Sequence, residues 1–142
     1  MKKLTIIGLL LVAIVLCILL FWQHTKTSRD RTISQKLAGA WSWEYANIRE
    51  TYNFAPDGSL TTQETFSRSK STNTYQMAGA WHIKDGRVIQ TITSDSNKRA
   101  RVPRTSSGQI VRIDAREFVV AFDTHNEPDA DTNALVLKRV TP

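Results

Sequence analysis

Few residue combinations in this chain have the types and spacing that chemistry requires. Ser67-Arg68-Ser69-Lys70 matches S-x-x-K. That chemistry needs a helix start at the serine, together with S-D-N and K-T-G elements. Ser94-Asp95-Ser96-Asn97 only approximates the first of these, K-T-G is absent, and both stretches read as polar loops. No catalytic residue is assigned, and the chain is not expected to be an enzyme. Asp129-x-Asp131-x-Asn133 is spaced like the start of a calcium loop, but Ala134 and Val140 stand where Gly and Glu are required. It reads as a solvated acidic loop. His24, His82 and His125 have no second His or Cys at ligand spacing. Asp123 and Glu127 near His125 make too poor a set, so no metal and no cofactor is expected.

The run "KRARVPR" at 98–104 holds four basic residues, Lys98, Arg99, Arg101 and Arg104, and no acid. Its plain reading is a solvated loop. Its functional reading is contact with anionic lipid headgroups or an anionic envelope polymer, since each basic residue close to an anionic surface gains about 1 kcal/mol. Nucleic acid is not expected as a partner, because no aromatic side chain is interleaved with these charges. The net charge of +6 favours anionic neighbours without naming one.

The other conspicuous side chains are aromatic, and period-two strands must position them. Trp41, Trp43 and Tyr45 alternate with Ser42 and Glu44, and Tyr52 and Phe54 continue the pattern. "APDGS" at 55–59 predicts a hairpin, with Gly58 as its left-handed residue. Leu60, Thr62, Glu64 and Phe66 share one face of the return strand. After a polar loop at 67–73, a strand over about 74–83 places Tyr75, Met77, Gly79, Trp81 and Ile83 on one side. "KDGR" makes a second tight turn into a strand at 88–93. A long connection at 94–108, strands at 109–113 and 117–123, a loop at 124–133 and a strand at 134–140 complete about eight strands. Short, evenly spaced strands predict an all-β barrel or sandwich. The phrase Ala-Gly-Ala-Trp occurs twice, at 38–41 and 78–81. It sets a glycine two positions before a tryptophan, on the same strand face. The glycine leaves room for the ring or for a close strand crossing. Gly39, Trp41, Gly79 and Trp81 are therefore expected to form the floor of a small closed sheet.

The chain has 142 residues, of which 41% are apolar and 23% charged, as in a single folded domain. Its N-terminus departs from that average. After a tail at 1–3, residues 4–22 form an uncharged run of 19 ending in Trp22, long enough as a helix to span a bilayer. A cleaved signal would show a shorter apolar region and a small-x-small site. A lipoprotein signal would need a small residue before Cys17, which follows Leu16. The expectation is an uncleaved single-pass signal anchor at 4–22, a non-periodic tether at 23–36 that ends in one helical turn opened by Thr32 and closed by Gly39, and a β-domain at 37–142. Basic residues flank the helix on both sides. The very short leading tail favours an inside N-terminus, and so an inner (plasma) membrane protein with its β-domain periplasmic or extracellular. Cys17 is the only cysteine, so the domain has no internal disulfide.

Taken together, "LAGAWSWE", "YNFAPDGSL", "YQMAGAWHIKDGRVI" and "LVLKRV" resemble the bacterial lipocalin-like domains over about residues 36–140. The resemblance implies a small antiparallel lipocalin-like barrel of about eight strands. It also implies that the first tryptophan packs beneath a basic side chain of the last strand, here Trp41 under Arg139 or, less well placed, Lys138. The barrel is shorter than that of the larger lipocalins, which implies a small or filled cavity. The functional expectation is a membrane-anchored, non-catalytic envelope binding domain for a small apolar ligand, with Trp43, Tyr45, Phe54, Phe66 and Tyr75 lining the mouth. The alternative is a protein-interaction or assembly module with a filled barrel. An interior void of a few hundred Å³ distinguishes the first from the second.

Overall fold

The computed structural model describes residues 2–68, 71–98, 101–122 and 134–140. Helix α1 (Lys2–Leu37) is followed by eight strands: β1 (Gly39–Tyr45), β2 (Ile48–Phe54), β3 (Ser59–Arg68), β4 (Ser71–Lys84), β5 (Arg87–Asp95), β6 (Arg104–Ile113), β7 (Glu117–Phe122) and β8 (Ala134–Arg139). Neighbours in sequence pair antiparallel, and β8 returns to β1, so the sheet is a closed all-β barrel. The closing seam is short. Trp41 lies opposite Arg139 and Ser42 opposite Lys138, with one more bond from the Val140 N–H to the Ala40 carbonyl at 2.9 Å.

The helix is long and apolar enough, by length and composition, to cross a membrane. Its large apolar side chains from Leu11 to Trp22 are uncovered, with Leu20 61% and Trp22 65% exposed. The non-periodic tether expected at 23–36 is instead the continuation of the same helix. No Gly or Pro occurs between Gly8 and Gly39, so nothing breaks the backbone ladder, and docking on the barrel supplies what propensity alone does not. The Asp30 carboxylate accepts the N–H groups of Asp85 and Gly86 at 2.8 and 2.9 Å. Lys26 pairs with Asp85 at 3.2 Å. Thr32 does not cap a helix start; it sits mid-helix, its hydroxyl donating to the Ser28 carbonyl at 3.0 Å. Gly39, at φ 128°, does end the helix.

The turns follow the punctuation in two of three clear cases. The Gly58 N–H donates to the Ala55 carbonyl at 3.0 Å with Gly58 at φ 86°. Asp85 and Gly86 take φ 52° and 74°. The third turn, at Ala46 and Asn47, has no Gly, and Ala46 itself adopts φ 51°. Two segments expected as loops are partly strand. β3 and β4 pair through Arg68 opposite Ser71, and β6 begins at Arg104 rather than at 109. Alternation arises only where one strand face is buried. These strand ends extend past the apolar core, where the inward face is polar as well, so their sequences carry no period.

Inward-facing residues divide the barrel in two. At one end Leu37, Trp41, Phe54, Leu60, Trp81, Val88, Phe118, Val120 and Leu137 are buried together. Leu37, the last helical residue, closes that end. The turns after β2, β4 and β6 lie there, and α1 leaves past the β4–β5 turn. The β1–β2 turn and the C-terminal ends of β3, β5 and β7 lie at the opposite, open end.

Candidate functional site

The two repeated tryptophans fill the closed end, as their spacing predicts. Trp41 is fully buried and Trp81 is 6% exposed. The Trp41 indole N–H donates to the Leu37 carbonyl at 2.7 Å and that of Trp81 to the Ala55 carbonyl at 3.0 Å, which ties each ring to the segment it must cover. Arg139 lies over Trp41, its guanidinium carbon 4.3 Å from the ring centroid. It also donates to the carbonyls of Ala38 at 3.1 Å and Lys36 at 2.6 Å. Two glycines make this possible for different reasons. A side chain on Gly39 would collide with the Arg139 guanidinium, and one on Gly79 would collide with the Thr91 backbone, where β4 bulges against β5 between Ala78 and Gly79. Neither glycine makes room for an indole.

Above this floor lies a cavity of about 310 Å³, lined by Glu50, Tyr52, Thr62, Met77, Gln90, Ile92, Arg104, Ser106 and Phe122, and opening past exposed Thr105 on β6. The strand register explains the set. Tyr52 faces Thr62 across β2–β3, Thr62 faces Met77, Gln90 faces Ser106, and Ile92 faces Arg104. These paired residues lie on the inward face. Glu50 is directly opposite Glu64, which puts two carboxylates on that face. Burial raises the Glu50 pKa above the ordinary glutamate range, and the Glu64 charge adds to this. A hydrogen bond from Tyr52 and the Arg104 charge oppose it. Burial, followed by the charge of Glu50, pushes the Tyr52 hydroxyl pKa upward. The Tyr52 hydroxyl therefore stays a donor to Glu50. Thr62 is only 3% exposed, yet its hydroxyl has no hydrogen-bond partner. An orphaned buried hydroxyl costs about 1–3 kcal/mol, and here it lines open space.

The aromatic residues expected at the mouth do not line this cavity. Phe54 is a correction: it is fully buried in the floor, edge-on to Trp81 at 5.3 Å and to Phe118 at 6.3 Å. The register puts it opposite Gly39, at the closed end rather than the mouth. Trp43 is half-buried and stacks on Tyr45 at 6.1 Å, and Tyr45 is 67% exposed. Trp43 instead lines a separate concavity at the β1–β8 seam, above the two closing pairs, with Glu44, Val136 and Lys138. Phe66 and Tyr75 meet edge-on at 5.8 Å. A larger concavity, about 540 Å³, lies largely outside the barrel, against outward-facing Thr51, Asn53, Thr61 and Gln63. It brings together no cluster of charges.

The basic run at 98–104 lies toward the open end. Lys98 and Arg101 are exposed in the β5–β6 connection at the open end, and Arg104 lines the cavity. Arg99 lies outside the described residues, as do Lys70, His125 and the acidic loop at 124–133. With strands rising about 3.3 Å per residue and tilted in a barrel, the open end stands ~20–30 Å from the closed end. That exceeds a Debye length of ~8 Å several times. Charges there are screened from anything at the closed end.

Glu50, Tyr52 and Gln90 were not singled out as site residues by their sequence. One signal was present: Glu64 sits in phase with Leu60, Thr62 and Phe66, and a carboxylate on the inward face of a strand marks a polar interior. No protein-family model matches the chain, and no curated protein matches it in sequence.

Proposed function

We propose that this chain is a single-pass membrane protein of the cell envelope whose lipocalin-like barrel binds a small ligand in its interior and performs no catalysis. The observation that carries the reading is the 310 Å³ void inside a closed barrel, with the orphaned Thr62 hydroxyl facing it. A filled interaction module would leave no such space. At about 30 Å³ per water molecule, the void holds about ten waters, so its occupant is small. Its lining alters the expected ligand chemistry. Ile92, Met77 and Phe122 offer apolar contact, while Glu50, Thr62, Gln90 and Arg104 demand polar partners. The ligand is an amphiphile rather than a hydrocarbon.

Membrane anchoring is supported by the uncharged run at 4–22 and by the unbroken helix that carries it. With that run in a bilayer, residues 23–37 add ~22 Å of helix at 1.5 Å per residue. The Asp30, Trp41 and Arg139 contacts then hold the barrel with its closed end toward the membrane. The ligand site opens away from it, into the periplasm or the exterior under the expected orientation. Native mass spectrometry of the full chain released from lipid nanodiscs tests the reading. A discrete small-molecule adduct is expected on the wild type and not on Ser106→Trp, which fills the void from its rim. Identical spectra for the two would overturn it.

A further inference from the structure

We propose that the cavity is built for an amphiphile bearing a single positive charge, its ammonium group held between the Glu50 carboxylate and the Thr62 hydroxyl. This deepens the binding reading above and rests on it. The charge balance of the interior is the first argument. Glu50 and Arg104 are the charged residues of the lining itself, and Glu64, directly opposite Glu50 on the inward face, adds a second carboxylate beside it. Two carboxylates against one guanidinium leave a deficit of one positive charge. Ion pairs join Lys26 to Asp85, Arg49 to Glu44, and Arg112 to Asp114 and Glu117. None includes Glu50 or Glu64. Arg104 turns one donor to the Met77 sulfur at 3.2 Å instead.

The second argument is independent of the acids. The Thr62 hydroxyl is buried, unpartnered and on the cavity wall, so a donor or acceptor is missing at that point. An ammonium carries three donors and no acceptor, so it can serve Thr62 and Glu50 together. The Tyr52 hydroxyl already holds Glu50 from its own strand, which fixes the carboxylate as an acceptor. The remaining wall, Ile92 and Phe122, accommodates a short alkyl or aryl group. A neutral alcohol would satisfy Thr62 and leave the carboxylate charge uncompensated. An anionic ligand would face two like charges for one opposite.

The test titrates the full chain in nanodiscs at neutral pH with pentylammonium, 1-pentanol or pentanoate, reading the Gln90 side-chain amide by NMR. Pentylammonium is expected to bind saturably and at least about ten-fold more tightly than pentanol. Glu50→Gln is expected to abolish that preference while pentanol binding persists, and Glu64→Gln to reduce it. Equal binding of pentylammonium and pentanol, or tightest binding of pentanoate, overturns the charge assignment and leaves the cavity as a binding site. No saturable shift with any of the three overturns both.

Discussion

Replacing Arg139 by Met keeps the aliphatic stem and removes the guanidinium that joins three elements. The loss can be assembled from the contacts. The cation–π contact with Trp41, at 4.3 Å, is worth about 0.5–2 kcal/mol. The bonds to the Ala38 and Lys36 carbonyls satisfy acceptors orphaned at the end of α1; hydrogen bonds to charged groups contribute about 1.5–3 kcal/mol each. Against this stand the desolvation of the guanidinium and its Nε, which is buried without a partner. The net expectation is a destabilisation of ~2–4 kcal/mol, which for a domain of ~100 residues lowers Tm by roughly 10–20 °C. Arg139→Lys keeps the charge, but a point ammonium cannot fork across two carbonyls, so about half the loss should remain. The assay is thermal unfolding of the full chain in micelles, followed by near-ultraviolet circular dichroism of the buried indoles. Hydrogen exchange at Ala38, whose N–H bonds the Ser34 carbonyl at 3.0 Å, should accelerate in parallel. An Arg139→Met protein within ~0.5 kcal/mol of wild type, a difference typical of neutral surface changes, would refute the idea that this side chain locks the helix to the barrel.

Three further perturbations separate the other parts of the account. Gly79→Ala drives a methyl into the Thr91 backbone, which cannot yield as a side chain would; a loss of about 2 kcal/mol or more is expected from the urea midpoint. Glu50 has a pKa raised by burial, so the folded chain holds that proton more tightly than the unfolded chain. Its contribution favours folding at low pH and is lost as pH rises through the raised folded value. Glu50→Gln should therefore be more stable than wild type at neutral pH, with the gap closing as pH falls toward the ordinary glutamate value of 4.5; a gap that widens on acidification contradicts the burial argument. Asp30→Ala removes the acceptor for two turn amides. Exchange of the Asp85 and Gly86 amides should rise about ten-fold, which corresponds to a loss of ~1.4 kcal/mol, while amides in the β2–β3 turn stay unchanged.

Much of the fold was legible because the signals were local. Glycine-tryptophan spacing located the floor, and Pro-Asp-Gly and Asp-Gly located two turns, since each rests on steric rules that act within a few residues. The helix from 23 to 36 was not legible. Its stability comes from Asp30 and Leu37 meeting groups far along the chain, and its polar sequence carries no period of its own. The open ends of β3 and β6 were not legible for a related reason: past the apolar core both strand faces are polar, so no alternation marks them. The site was the least legible part. Aromatic residues stand out at Trp43, Tyr45 and Phe54, yet Phe54 lies in the floor, while Trp43, opposite Glu50 in the register, stacks on exposed Tyr45 at the rim. The cavity is made by Glu50, Thr62 and Gln90, ordinary residues whose importance comes only from which strands stand beside them.

The account depends most on a barrel fixed with its closed end toward the bilayer and its cavity turned away. In a Cys17→Ala background, which removes the free thiol, single spin labels at Lys84 and at Asn47 can be compared in nanodiscs containing nickel-chelating headgroups. Lys84 adjoins the turn docked on Asp30, and Asn47 lies in the open-end turn between β1 and β2. The account predicts strong relaxation enhancement at position 84 and almost none at 47, since the latter stands at least ~20 Å farther from the headgroups. Equal enhancement at the two positions, or the reverse order, would contradict it.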